Sequence, residues 1–180
     1  MLEKNEIIQS ALRNLKIEEL NPMQEASLEQ ATGRKDVILL SPTGSGKTLA
    51  YLLPLLLTLK PNDDSVQVLI LVPSRELALQ IDSVFKAMGT SWKTCCCYGG
   101  HPIAEEKKSI LSNHPAIIIG TPGRITDHLS KGNFNPETIE TLIIDEFDKS
   151  LEFGFHDEMA EIITPVSYTH LRAHETPEHL

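Results

Sequence analysis

At 180 residues the chain is long enough for one domain with a buried core and short for several. Hydrophobic residues at 41% and charged residues at 23% exclude collagen-like, wholly disordered and disulfide-scaffold proteins. Sixteen Lys and Arg against 25 Asp and Glu leave a net charge of −9, so any nucleic acid must be gripped by local donors and not by a broadly basic surface.

Residues 1–15 mix charge into a helical pattern, without the apolar run and small-residue cleavage site of a signal peptide. Five short β-branched or apolar runs follow, at 37–40, 66–72, 93–98, 116–119 and 141–144, separated by longer helical patterns. That alternation predicts an α/β fold with a mainly parallel sheet and helices on both faces. Each run ends in a turn signal, which places the informative residues at the carboxyl ends of the strands, where open α/β sheets bind ligands. The greasiest segment, 49–59, is too short to span a bilayer and contains Pro54, so it reads as a buried helix and no membrane association is expected. Cys95, Cys96 and Cys97 are adjacent, which suits neither disulfides nor metal ligation and points to strand packing in a reducing, cytoplasmic setting. Trp92 reads as partly buried, the 104–108 stretch Ala-Glu-Glu-Lys-Lys as a solvated helix face, and His101, His114, His128 and His156 as lacking ligand spacing.

The first chemical signal is Ser41-Pro42-Thr43-Gly44-Ser45-Gly46-Lys47-Thr48, between the 37–40 run and a helical pattern. Gly44 and Gly46 let the backbone N–H groups of Thr43–Lys47 turn inward, and the helix that follows adds the positive end of its dipole, making a nest for phosphate oxygens. Lys47 supplies a point charge for the β- and γ-phosphates and Thr48 a hydroxyl for Mg²⁺. The bland alternative is a glycine-rich turn capped by Thr48. The strict pattern opens on Gly, where this chain has Ser41. The second signal is Asp145-Glu146 at the end of the fifth apolar run. Opposite a phosphate loop, Asp145 can hold the metal and Glu146 can orient or deprotonate an attacking water in line with the γ-phosphate; alone, such a pair is a solvated turn.

After Thr164-Pro165 the strand and helix rhythm stops. Residues 1–164 are expected to form the domain and residues 165–180 an unrelated, disordered or artificial tail. His170 and His174 are spaced for one helix face, but no third metal ligand is placed and Pro177 would end such a helix.

Taken in order, the phosphate loop, Pro73-Ser74-Arg75-Glu76, Gly99-Gly100, Thr121-Pro122-Gly123-Arg124 and Asp145-Glu146-Phe147-Asp148 resemble the motifs of the DEAD-box RNA helicases, and Asn21-Pro22-Met23-Gln24 is similar to their adenine-reading Gln motif. The resemblance implies the first of two RecA-like domains, with ATP·Mg²⁺ bound by Gln24, Thr43, Gly44, Ser45, Gly46, Lys47 and Thr48, and the metal held by Thr48 and Asp145. It makes Lys47, Asp145 and Glu146 the catalytic residues. A carboxamide can read the N6 and N7 edge of adenine in bidentate fashion. Pro73, Ser74, Arg75, Glu76, Gly99, Gly100, Thr121, Pro122, Gly123 and Arg124 become the track for one RNA strand, gripped by sugar and phosphate. Ser74 and Thr121 sit where they can cap the next helices, with Pro122 suited to a first turn; Arg75 and Arg124 paired to nearby carboxylates is the competing reading.

Three departures qualify the resemblance. Ile7-Ile8 offers no aromatic to stack on the base, Phe147 stands where the family has Ala, and no Ser-Ala-Thr motif follows to bond Asp148, the residue implied to couple the lobes. The chain is therefore expected to be a monomeric fragment lacking its second lobe, nearly inactive alone. A non-hydrolysing, ATP-dependent RNA-binding or scaffold module is the alternative of a different class, and an unrelated phosphate-loop kinase or transporter ATPase would make the RNA motifs coincidence.

Overall fold

The computed structural model describes residues 2–30, 36–42, 44–166 and 171–173. Helices α1 (Leu2–Leu15), α2 (Pro22–Gln30) and α3 (Lys47–Thr58) come first. Strands and helices then alternate: β1 (Val68–Leu71), α4 (Arg75–Ala87), β2 (Thr94–Cys97), α5 (Ile103–Asn113), β3 (Ile117–Gly120), α6 (Pro122–Ser130), β4 (Thr141–Ile144), α7 (Phe147–Glu152), α8 (His156–Val166) and β5 (Leu171–Ala173). The strands make one parallel sheet in the order β2-β3-β1-β4-β5.

Strand parity divides the core. Val68, Ile70, Ile117, Ile119 and Ile143 face one side, where they meet α1, α3 and α4 through Leu12, Leu52, Leu53, Leu56, Ile81 and Phe85. Leu69, Leu71, Ile118, Leu142 and Ile144 face the other, against Ile125 of α6 and Met159 and Ile162 of α8. Both faces of β1, β3 and β4 are buried, which is why these strands read as continuous apolar runs and not as alternation. Each such side chain contributes about 1.5–3 kcal/mol by leaving water. The edge strand β2 does alternate, burying Cys95 and Cys97, and this makes the cysteine run a packing element. Trp92 packs partly buried against the first core, and α3 runs buried from Ala50 to Leu56 straight through Pro54. Among the described residues no helix is long and apolar enough to cross a membrane.

One expected strand does not form. Residues 37–40 are not a strand: the sheet ends at β2 on one side and β5 on the other, and this segment is in neither place, with Ile38 69% and Leu40 61% exposed. A β-branched run becomes a strand only where a ladder accepts it. At the other end α8 continues through Thr164 and Pro165 to Val166, and Leu171–Ala173 then pairs with Leu142–Ile144 of β4. His170 and His174 lie outside the described residues, and the three residues between them are extended, not helical.

Candidate nucleotide and nucleic-acid site

Parallel pairing puts Cys97, Gly120, Leu71 and Ile144 at one level across β2, β3, β1 and β4. The loops after those strands therefore emerge side by side. Gly99-Gly100, Thr121–Arg124, Pro73–Glu76 and Asp145–Asp148 follow one another along the edge in that spatial order.

The phosphate loop enters α3 with Gly44 at φ 82° and Gly46 at φ 88°, the left-handed region that side chains avoid. Gly46 precedes Lys47 and makes no side-chain cap, and a helix start is where backbone N–H groups and the dipole favour an anion. Beside Gly44 a Cβ would meet nothing, whereas at Gly46 it would lie 2.6 Å from Gln24 Nε2. Thr43 lies outside the described residues.

Gln24 is buried against this loop. Its Nε2 donates to Gly46 O at 3.2 Å and its Oε1 accepts from Asn21 N at 3.0 Å. Asn21 Nδ2 donates to Ser45 O at 2.9 Å. The pair clamps the loop from behind, leaving the Gln24 carboxamide one N–H and one lone pair beyond these bonds. The signal for Asn21 was present in the sequence, since its polar side chain opens α2 directly before the helical Pro22.

Tyr51 joins the two acidic and phosphate motifs, and sequence reasoning missed it. Its hydroxyl donates to Asp145 Oδ2 at 2.9 Å across 94 residues of chain, and it is also hydrogen bonded to the Thr48 hydroxyl. Burial, and then the charge of Asp145, push the phenol well above its usual range, so it keeps its proton. The next residue, Glu146, has φ 51° and ψ 51°, an uncommon conformation for a non-glycine residue and one that concentrates at functional sites. Its Oε1 lies 2.9 Å from Lys149 Nζ, and that hydrogen bond, more than any other contact, raises the Lys149 ammonium above its usual range. Asp148 Oδ1 is buried without a hydrogen-bond partner, an acceptor that needs a donor.

In the loops expected to form the RNA track, Ser74 caps α4 by accepting from Leu77 N, as its position suggested, while Thr121 occupies the cap position of α6 without a side-chain bond. Arg75 lies 5.1 Å over the Tyr98 ring. Arg124 turns inward: Nη1 is 3.3 Å from Glu106 Oε2 and Nη2 donates to His101 O at 2.9 Å. This is the carboxylate-paired arrangement. The stretch read as a solvated face supplies the carboxylate, for Glu106 is 3% exposed while Glu105 points to water. Glu106 also accepts from Tyr98 N at 2.9 Å, from His101 Nε2 at 2.8 Å and from His128 Nε2 at 2.7 Å, so His101 and His128 have structural partners. Burial alone would raise this carboxyl, but His128, the Tyr98 N–H and Arg124 outweigh it and hold it below its usual range. Cys97, Glu106 and His128 present ligand atoms within 4.8 Å of one another. The oxygens of Glu106 are already committed to these donors, one of them a guanidinium that would oppose a cation, so the cluster is a hydrogen-bonded hub joining the loop after β2 to α5 and α6.

A family model described as DEAD/DEAH box helicase matches residues 21–177. DEAD-box ATP-dependent RNA helicase CshA of Bacillus cereus is 36% identical over 162 residues, covering 89% of this chain and 31% of its own length. ATP-dependent RNA helicase CshA of Listeria monocytogenes is 35% identical over 164 residues, covering 90% and 31%. Among solved structures, a DEAD box protein from the hyperthermophile Methanococcus jannaschii superposes with a TM-score of 0.88 at 27% identity, over 96% of this chain and 48% of that one. Mss116p bound to ssRNA and AMP-PNP gives 0.83 at 27% identity, over 96% and 38%. The chain spans about a third of the length of the curated relatives it matches. With ordered motifs, a RecA-like parallel sheet and these matches in agreement, the chain belongs to the DEAD/DEAH box helicase family.

Proposed function

We propose that this chain is the ATP-binding lobe of a cytoplasmic, ATP-dependent RNA helicase, which binds ATP·Mg²⁺ and single-stranded RNA and hydrolyses ATP when a second lobe closes on it. The observation that carries the proposal is the Thr48, Tyr51 and Asp145 contact, which draws the phosphate loop and the acidic pair to one point. Thr48 and Asp145 offer oxygen donors only, the chemistry a hard divalent cation takes, so these residues fit Mg²⁺. When bound, the ion would neutralise charge on the phosphates. Lys47 and the N-terminus of α3 would bind the β- and γ-phosphates, and Gln24 would meet adenine with the hydrogen-bonding capacity left to it. Glu146 would orient the water, for which its carboxylate must leave Lys149. Asp148, with its unpartnered Oδ1, would take a donor when the lobes couple.

RNA would lie along the loops after β2, β3 and β1, held by backbone donors, Arg75 and whatever N–H groups of Arg124 remain. The relatives are named ATP-dependent RNA helicases, and one structural neighbour holds ssRNA and AMP-PNP, which supports both ligands.

One observation favours the non-hydrolysing alternative: the candidate base Glu146 is already paired with an ammonium. Glu146→Gln in the full-length protein separates the two. The helicase reading expects RNA-stimulated ATP turnover to fall roughly 100-fold or more with ATP affinity nearly unchanged, the pattern of a group acting in the transition state. A wild-type protein that binds ATP and RNA without turnover would establish the scaffold.

A further inference from the structure

Helix α3 carries one aromatic residue, Tyr51, three positions after Thr48 and so on the same helical face. The residue is 2% exposed, and its ring belongs to the first apolar core. A phenylalanine would fill that volume equally well; the hydroxyl is the part that packing does not require. That hydroxyl bonds both prospective metal ligands, Thr48 and Asp145.

The direction of the two bonds follows from counting protons. A phenol has one to give, and it goes to Asp145 Oδ2 at 2.9 Å. Thr48 must then donate its own proton to the Tyr51 oxygen, so that the Thr48 oxygen can act toward any further partner only as an acceptor, the role a metal ligand needs. At the other end the bond to Oδ2 fixes the plane of the Asp145 carboxylate, which is 4% exposed at the end of β4. One hydroxyl thus sets the proton of one ligand and the rotation of the other. Groups that hydrogen bond behind metal ligands act in this way, by orienting the donors before the ion arrives.

We propose that the Tyr51 hydroxyl is the positioning group that holds Thr48 and Asp145 in the arrangement a divalent cation requires beside the nucleotide phosphates, an inference that rests on the nucleotide-binding reading above. The competing role is merely to satisfy a buried carboxylate.

Tyr51→Phe, which deletes one oxygen, tests this in the full-length protein. Mn²⁺ binding is followed by electron paramagnetic resonance in the presence of a non-hydrolysable ATP analogue, and analogue binding is measured separately in EDTA. The Mn²⁺ dissociation constant should rise roughly 10-fold, the low end of what losing a residue behind a metal ligand costs, while metal-free analogue binding and the thermal midpoint stay near wild type. In an Asp145→Asn background the same substitution should raise the Mn²⁺ dissociation constant by a smaller factor than in wild type, because the Asp145 arm is already altered and only the Thr48 arm remains to lose. Equal Mn²⁺ affinity in Tyr51→Phe and wild type overturns the proposal. So does a parallel loss of metal-free analogue binding, which would make the hydroxyl a support for the loop alone. A wild-type protein that binds no analogue under either condition overturns the nucleotide-binding reading, and this proposal with it.

Discussion

Glu106 shows how much a single buried carboxylate can organise. It accepts from the backbone of Tyr98, from His101, Arg124 and His128, and so ties the Gly99-Gly100 loop and the start of α6 to α5. Because its folded carboxyl titrates below the ordinary value of 4.5, ionised Glu106 stabilises the native state above that pH, and the contribution is lost as pH falls through and below it. Glu106→Gln cannot titrate. The stability gap between wild type and Glu106→Gln, read from urea midpoints, should therefore be widest near neutral pH and shrink below about 4.5; a gap independent of pH would show that the charge is not what stabilises. The sequence offered a carboxylate-paired Arg124 as an alternative but did not identify Glu106 as the partner. Glu106 stands between Glu105 and Lys107, where a charged run reads as solvated, and its partners Arg124 and His128 lie 18 and 22 residues downstream. Lys47 and Thr48 were singled out from the phosphate loop and Asp145 from the acidic pair after the fifth apolar run, because each is a local pattern written in consecutive residues. Tyr51 was not, because its partner is 94 residues away.

At the level of elements, apolar or β-branched runs located four of the five expected strands to within about two residues, β1, β3 and β4 because a strand buried on both faces is largely apolar. Residues 37–40 failed for the complementary reason: the run is apolar enough, but strand formation depends on a neighbour that no local pattern specifies. The junction of β3 with β2 depends on a glycine in a way the motifs did not announce. A Cβ at Gly120 would collide with the Cys97 carbonyl oxygen and come within 2.6 Å of Ile125 Cδ1. The first of these is backbone and cannot swing aside. Gly120→Ala should thus lower the urea midpoint by an amount equivalent to about 1–3 kcal/mol, the usual cost of overpacking. An unchanged midpoint would mean that β2 shifts freely and that the loops after β2 and β3 are not rigidly spaced.

For the whole molecule, the proposed RNA contact is compatible with the net charge of −9 because it would be confined to helix starts, glycine loops and a few arginines at one edge of the sheet. Under the proposed two-lobe reading, the 180 residues alone are expected to bind nucleotide weakly, hydrolyse it very slowly and unwind nothing, because one lobe would supply half of a closing cleft. Fluorescent-analogue titration and a strand-displacement assay check this, and robust unwinding by the isolated chain would refute the two-lobe requirement. The common register of β2, β3, β1 and β4 then has a mechanical meaning. Loops rooted in hydrogen-bonded ladders about 4.8 Å apart cannot drift without tearing the ladder, so the edge acts as a rigid ruler. A polynucleotide laid along it must conform to that fixed gauge, and whatever bending accompanies strand separation would be borne by the nucleic acid.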